Sequence, residues 1–362
     1  MSRPLSSFGS SSSSAFLAVD YAHAADPRAL LADPSVLAVF GFGSGASRSD
    51  DPRYLRVPLE PYTDRSGTRA SNETLPNEGG PQEASPYEVW RANAPVRCGR
   101  EPGPAEAGGD IAWATDGELL FGAIEVDEAA IGIAAAARHA YARAIAFVQA
   151  SGTPHLLRIW NYLDAITLGE GDTERYREFC VGRAQGLGDF DVTRLPAATA
   201  IGRCDGQRVV QVYWLAARTP GTPVENPRQV SAYRYPRQYG PQSPSFARAM
   251  LPPSDRMPLL LSGTAAVVGH ASQHAGELQA QLEETFRNFD ALIGAAQGHR
   301  PELPAHFGPS TRLKVYVRDA HDLPQVARAL DLRFGDAVPR VLLHAAICRR
   351  ELAVEIDGVH GA

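Results

Sequence analysis

Long apolar runs are missing from this sequence of 362 residues. A helix needs about 20 consecutive apolar residues to cross a bilayer, and no stretch approaches that length. The apolar run at residues 15–19 is stopped by Asp20, which is too short for the core of a secretory signal. No membrane association is expected, and a cytoplasmic location is. Cysteine is scarce. Cys98, Cys180, Cys204 and Cys348 lie far apart and form no CxxC pair, so neither a disulfide framework nor a zinc site is expected. The ten histidines show no HxH or HExxH spacing. His270 and His274 would share one face of a helix, but no carboxylate or thiol joins them at metal spacing, so no metal is expected. Basic charge is not in excess either. The net charge is -6 and no basic run stands out, which argues against a nucleic-acid partner and against an anionic membrane surface.

What is present is ordinary for a globular protein: 44% apolar and 21% charged residues. Residues 1–14 are serine-rich and read as a disordered tail. Residues 15–109 read as an irregular N-terminal extension. Within it, VLAVFGFGSG (36–45) is a short buried strand leading into a glycine-rich turn. Its spacing fits neither GxGxxG nor GxxxxGK[ST], so it is not read as a phosphate loop. The stretch 50–104 is rich in Pro, Gly, Asn and Glu and predicts long loops with short strands, one of them at 87–91.

Beyond residue 110 one pattern occurs twice. The first unit (110–220) has the strand GELLFGAIEV (117–126), a helix over 129–150 and the strand LLRIWNYLDA (156–165). A helix over 173–184 and two strands, ATAIGR (198–203) and QRVVQVYWLA (207–216), complete it. The second unit (257–362) repeats the order: MPLLLSGTAAVVG, a helix from about 276 to 296, RLKVYVRDA, a helix over 322–334, VLLHAAICRR and ELAVEIDGV. Ala200-Ile201-Gly202-Arg203 answers Ala346-Ile347-Cys348-Arg349, and Gln211 falls where Glu355 falls. The expected fold is α/β (α+β), two tandem strand–helix–strand–helix–strand–strand units with the helices on one face of the sheet.

Three features carry possible chemistry. In the last strand, Ala353, Glu355 and Asp357 share one face, and Leu352, Val354 and Ile356 share the other. The apolar face should meet the helices, so the acidic face is either solvated or lines a pocket. Cys348 stands beside Arg349 and Arg350, and a guanidinium there would lower a thiol's pKa; the alternative is a small buried hydrophobe. Within the connector (221–256), residues 226–250 hold Arg228, Arg234, Arg237 and Arg248 with Tyr233, Tyr235 and Tyr239, and no Asp or Glu. Such a composition suits capture of a small carboxylate.

The connector RYPRQYGPQSPSFARA, the segment RIWNYLDAITLGEGDTERYREFCVGR, the turn SGTAAVVGH and the ending ICRRELAVEIDG together resemble the chorismatases, which include 3-hydroxybenzoate synthases and bifunctional 3-/4-hydroxybenzoate synthases. The likeness covers roughly residues 87–359. It implies two RidA-like (chorismate-mutase-like) units in tandem, a small-molecule substrate, chorismate, and no cofactor. It also implies that Glu355 protonates the methylene carbon of the enolpyruvyl ether so that pyruvate leaves. By the same resemblance, Cys348 marks the branch that forms 3-hydroxybenzoate. Ala265 stands where pocket size tunes the product and where some 3-hydroxybenzoate formers carry glycine, which leaves 4-hydroxybenzoate open as a second product. Tyr162, Arg183, Tyr235, Arg237, Tyr239 and Arg248 lie in matching motifs and are the implied substrate-binding residues. The alternatives are a RidA-like imine or enamine hydrolase and a non-catalytic small-molecule-binding protein. The connector argues against the first and Glu355 against the second. A monomer is favoured over a trimer.

Overall fold

The computed structural model describes residues 15–63, 85–104 and 108–361; the serine-rich tail lies outside them. Four short strands open the described chain: β1 (Ala18–Ala24), β2 (Val36–Phe42), β3 (Tyr54–Val57) and β4 (Ser85–Arg91). They form one sheet in the order β1-β4-β2-β3, with the helix α1 (Pro27–Leu31) after β1. Asp26 caps α1 by accepting from the Arg28 amide at 2.8 Å, and Pro27 opens the first turn, where its missing N–H costs nothing. The N-terminal extension is therefore more regular than the sequence suggests. Of the strands in this sheet whose burial is described throughout, β2 alone is buried at every position, which is the pattern a sequence scan detects.

Two strands, β5 (Arg97–Glu101) and β6 (Ile111–Thr115), lead into the first repeated unit. That unit is β7 (Leu119–Asp127), α2 (Ile133–Ala150), β8 (His155–Asp164), α3 (Arg175–Leu187), β9 (Ala197–Arg203) and β10 (Val209–Ala217). The connector contributes β11 (Thr222–Val224) and β12 (Ala249–Leu251). The second unit begins with β13 (Leu259–Thr264) and a hairpin of β14 (Val267–Val268) and β15 (Ala271–Ser272). It continues with α4 (Leu278–Gln297), β16 (Thr311–Val317), α5 (Leu323–Phe334), β17 (Arg340–His344), β18 (Ala346–Ile347) and β19 (Val354–His360).

The repeat is visible in the topology. The order is β9-β8-β10-β7 in the first unit and β17-β16-β19-β13 in the second. In each, the outer pair (β8 with β9, β16 with β17) is parallel and the inner pairs are antiparallel. Gln211 is paired with Tyr162, and Glu355 with Tyr316, so the correspondence holds residue by residue at the centre of both sheets. β18 crosses over to pair with β9, placing Ile347 opposite Ile201. Those two isoleucines also match in sequence, so the seam has local twofold symmetry.

Helices cover the outer faces. Ile124, Val126, Ile159 and Val212 pack under α2 and α3. Leu259, Leu261, Val315, Val354 and Ile356 pack under α4 and α5. Gly182 has no room for a side chain against the carbonyl of Ala134, which lets α3 lie close on α2. The inner faces meet each other and the N-terminal sheet through large aromatic side chains. Trp90, Phe40, Phe121, Trp160, Tyr213 and Tyr316 share one buried cluster, and Trp160 stacks on Tyr213 at 4.8 Å. Among the described residues, no helix is long and apolar enough to cross a membrane.

Candidate active site

β19 lies between β13 and β16 in the centre of its sheet, so its two faces have different fates. Val354 and Ile356 point at the helices, as the alternation predicts. Glu355 and Asp357 point the other way, into the space between the sheets, where they are 5% and 0% exposed. The solvated-edge alternative is thereby removed.

Asp357 is the hub of a buried network. Its Oδ2 accepts from Thr199 Oγ1 at 2.7 Å, Trp160 Nε1 at 3.0 Å, Tyr316 OH at 3.0 Å and Arg158 Nη2 at 3.2 Å. Its Oδ1 lies 3.8 Å from Lys314 Nζ, which in turn pairs with Glu88 of β4 at 3.0 Å. Burial works to discharge Lys314, but Glu88 and Asp357 outweigh it and hold the ammonium above its ordinary range.

Glu355 faces a cavity of about 340 Å³ where the two units and the connector meet, a volume suited to a small ligand. The first unit lines it with Tyr176, Arg183 and Thr199, the connector with Tyr235, Tyr239 and Arg248, and the second unit with Gly263, Ala265, Cys348 and Arg349. Burial raises the Glu355 carboxyl, the charge of Asp357 adds to that, and Arg158, Arg349 and Arg248 pull it back, leaving it at about 8. The group is a neutral acid at pH 7. A methyl group at Gly263 would collide with its Oε1, so that glycine provides the notch in which the carboxyl sits.

The cavity's cations are held by side-on contacts that leave donors over. Arg183 donates to the Ser245 carbonyl at 2.6 Å and lies over the Tyr141 ring. Arg248 donates to Tyr235 OH at 2.6 Å and to the Val230 carbonyl at 2.9 Å. The Nε of each is buried and has no partner. Arg349 donates to the His270 carbonyl at 2.9 Å and to Ser272 Oγ at 3.0 Å, and stacks 4.2 Å from the Tyr239 ring centre. Tyr239 OH is 3.2 Å from His270 Nδ1.

Cys348 Sγ lies 4.0 Å from Glu355 Oε2. Burial and the neighbouring Glu355 push its thiol far up, and Arg349 offsets only part of this. A lowered thiol pKa is therefore ruled out: Cys348 is a neutral thiol. Arg350 also lines the cavity, where it donates to the carbonyls of Thr167 and Gly169. Ala265 lines the wall beside Glu355, and its carbonyl accepts from Asn288 Nδ2 at 3.0 Å.

Two implied binding residues are not brought to the cavity. Tyr162 sits on the inner face of β8, fully buried, its hydroxyl 3.1 Å from that of Tyr316. Arg237 is 66% exposed and forms a two-pronged pair with Asp172 at 2.8 and 2.5 Å. Of the other connector arginines, Arg228 is taken up by Glu284 and Asn288, and Arg234 lies against Tyr233. His270 and His274 fall before α4 rather than on it, and no group of three or more metal-ligating side chains exists among the described residues. The residues missed by sequence reasoning are Gly263, Thr199, Tyr176 and Arg349. Arg349 stands beside Cys348 in ICRRE, and Gly263 and Tyr176 lie in the motifs SGTAAVVGH and RIWNYLDAITLGEGDTERYREFCVGR, where nothing local sets them apart from their neighbours. In the first unit the position of Glu355 is held by Gln211, whose amide donates to Glu125 and to the Arg56 carbonyl; it has no acidic proton to give.

An enclosed carboxylic acid ringed by arginines is thus the chemical signature of this site. The family model of the N-terminal part of FkbO/Hyg5-like chorismatases matches residues 88–216. A chorismatase of Streptomyces rapamycinicus is 35% identical over 327 residues, covering 87% of this chain and 95% of that protein. A 3-hydroxybenzoate synthase of Streptomyces hygroscopicus is 34% identical over 288 residues, covering 76% of this chain and 82% of its own length. A crystal structure of a chorismatase superposes with a TM-score of 0.78 at 32% identity, covering 95% of this chain and 98% of the other. The chain belongs to the chorismatase family.

Proposed function

We propose that the protein converts chorismate to 3-hydroxybenzoate and pyruvate, with 4-hydroxybenzoate as a second product, and that Glu355 is the proton donor. The observation that carries this reading is a carboxyl group only 5% exposed that faces a cavity rather than bulk water, with Arg183, Arg248 and Arg349 on the cavity wall; burial raises that carboxyl to about 8. Protonating an enol ether at carbon needs a neutral acid at working pH, and burial supplies one. Glu355 gives its proton to the terminal methylene, which becomes the methyl group of pyruvate. The ether-bearing carbon becomes cationic, water adds to it and returns a proton to Glu355, and the hemiketal so formed collapses: the bond between that carbon and the ether oxygen breaks, pyruvate leaves, and the ether oxygen stays on the ring as a hydroxyl. The ring then carries two hydroxyl groups on adjacent carbons, and loss of a ring proton with one of them, as water, aromatises it and leaves the other as the hydroxyl of the product. One water is taken up and one is lost, so the net reaction consumes none. Arg183, Arg248 and Arg349 are the donors for the two substrate carboxylates, with Tyr235 and Tyr239 holding Arg248 and Arg349 in place. Cys348, a neutral thiol beside Glu355, steers the ring intermediate toward aromatisation, and Ala265 sets the room available to it.

The test is incubation of the pure protein with chorismate alone, following pyruvate and both hydroxybenzoates. Pyruvate with 3-hydroxybenzoate is expected, and absence of pyruvate overturns the proposal. Glu355→Gln should retain the fold and lose about 10²–10⁴-fold in kcat.

A further inference from the structure

Glu355 does not sit alone in its strand. Two residues on, about 6.6 Å along β19, Asp357 occupies the same inward face and is wholly buried. Four donors from three strands converge on one of its oxygens, and two cations flank it. Each of these contacts presents a hydrogen or a positive charge to the carboxyl oxygens, the arrangement that accommodates a negative charge. The chain of charges continues outward: Asp357 to Lys314 on β16, and Lys314 to Glu88 on β4 of the N-terminal sheet. Glu88 is further fixed by Trp90 Nε1, which donates to it at 2.7 Å. None of Glu88, Lys314 and Asp357 lines the cavity.

We propose that Asp357 is a positioning residue for the reaction, the inner end of an ion chain Glu88–Lys314–Asp357 that keeps Glu355 in the protonated form that donates. It rests on the reading of Glu355 as the donor. The charges facing Glu355 come from every side. Arg158 on β8 and Arg349 and Arg248 at the cavity wall favour its ionised form; Asp357 on its own strand opposes it. Cys348 and Tyr176 face it as neutral groups, their own ionisation pushed up by burial. With three guanidinium groups pulling one way, burial is helped by a fixed negative charge. Asp357 supplies it at a place no substrate can reach, so binding a dianion does not disturb it. Lys314 and Glu88 compensate each other, which lets Asp357 remain charged in the core without handing its partner a surplus positive charge.

The experiment compares pH profiles of kcat/KM for the full-length wild type, Asp357→Asn and Glu88→Gln. Each variant removes one negative charge and keeps the side-chain shape. In Asp357→Asn the high-pH limb should move toward acid by about one to two pH units, with the low-pH plateau largely kept. In Glu88→Gln, which lies outside the cavity, the limb should move the same way by less. A purely structural role would lower the whole profile without moving the limb, and a limb and a Glu355 carboxyl band that both stay put in the folded variants overturn the proposal. If Asp357→Asn does not fold, Glu88→Gln alone decides by the same criterion. Infrared titration of the protonated carboxyl band that vanishes in Glu355→Gln reads the group itself. A band that shifts while the rate limb stays put would indict Glu355 as donor and leave the ion chain standing; a static band would sink the ion chain.

Discussion

A buried acid held at about 8 stores a pH-dependent instability that can be measured without substrate. In the unfolded chain Glu355 titrates near 4.5, whereas in the folded protein it holds its proton to about 8. Between those values the folded state binds a proton that the unfolded state has released, so stability must fall as pH rises. The slope is about 1.4 kcal/mol per pH unit, and the full difference is roughly 4–5 kcal/mol, reached once pH passes the folded value. Glu355→Gln replaces the acid by an amide of the same shape that does not titrate. Other groups titrate alike in both proteins, so the difference between them isolates Glu355. Denaturant unfolding from pH 5 to 9 should show the variant close to wild type at pH 5 and progressively more stable above it, with several degrees' advantage in Tm at pH 9. The sign matters most. Parallel curves from pH 5 to 9 would mean that Glu355 is ionised in both states over that range, as an exposed group or a carboxylate stabilised by its arginines would be. A variant that loses ground to wild type as pH rises would contradict the sign itself. Either result would refute the shielding on which the proposed chemistry depends.

Other outcomes follow from single contacts. Gly263→Ala should keep the fold, because the colliding atom is the end of a flexible side chain, yet displace the Glu355 carboxyl and lower kcat at least 10-fold with little change in Tm; unchanged kcat would show that the notch is unimportant. Arg248→Gln should raise KM for chorismate by 10-fold or more, since a charge-assisted contact is worth about 1.5–3 kcal/mol, and an unchanged KM would remove it from the carboxylate site. Arg237→Gln, at an exposed pair with Asp172, should leave KM within about 2-fold. Cys348→Ala should change the ratio of 3- to 4-hydroxybenzoate more than it changes chorismate consumption, and a constant ratio would show the thiol to be a bystander.

Much of the architecture can be read in the sequence because two periodicities declare it. The repeated strand–helix order, the helical stripe Leu282, Phe286, Phe289 and Ile293, and the apolar face of β19 all appear where alternation puts them. Alternation also places Glu355 and Asp357 on one face, but it does not say what covers that face. The cover is a second sheet nearly 200 residues away in the chain, reached by contacts such as Arg158 with Asp357. The N-terminal sheet is faint for a related reason: short strands such as Tyr54–Val57 carry too few residues to establish a period. The connector shows the limit of composition. The four arginines of residues 226–250 look equivalent as letters, yet Arg228 and Arg237 are neutralised by Glu284 and Asp172, residues distant in the chain, and of the four only Arg248 reaches the cavity. Tyr162 stands in a matching motif, but strand geometry turns it into the core. Gly263 stands in the motif SGTAAVVGH, but its role is illegible there because a missing side chain has meaning only once the carboxyl that fills its space is placed.

The origin of the third hydrogen in the pyruvate methyl group tests the central claim most directly. Run in D₂O and quenched before the methyl group can exchange, with the pyruvate reduced to lactate for mass spectrometry, the reaction should place one deuterium in the methyl group, because the Glu355 proton equilibrates with solvent. Pyruvate carrying no deuterium would mean that the hydrogen came from the chorismate ring, and Glu355 would not be the donor.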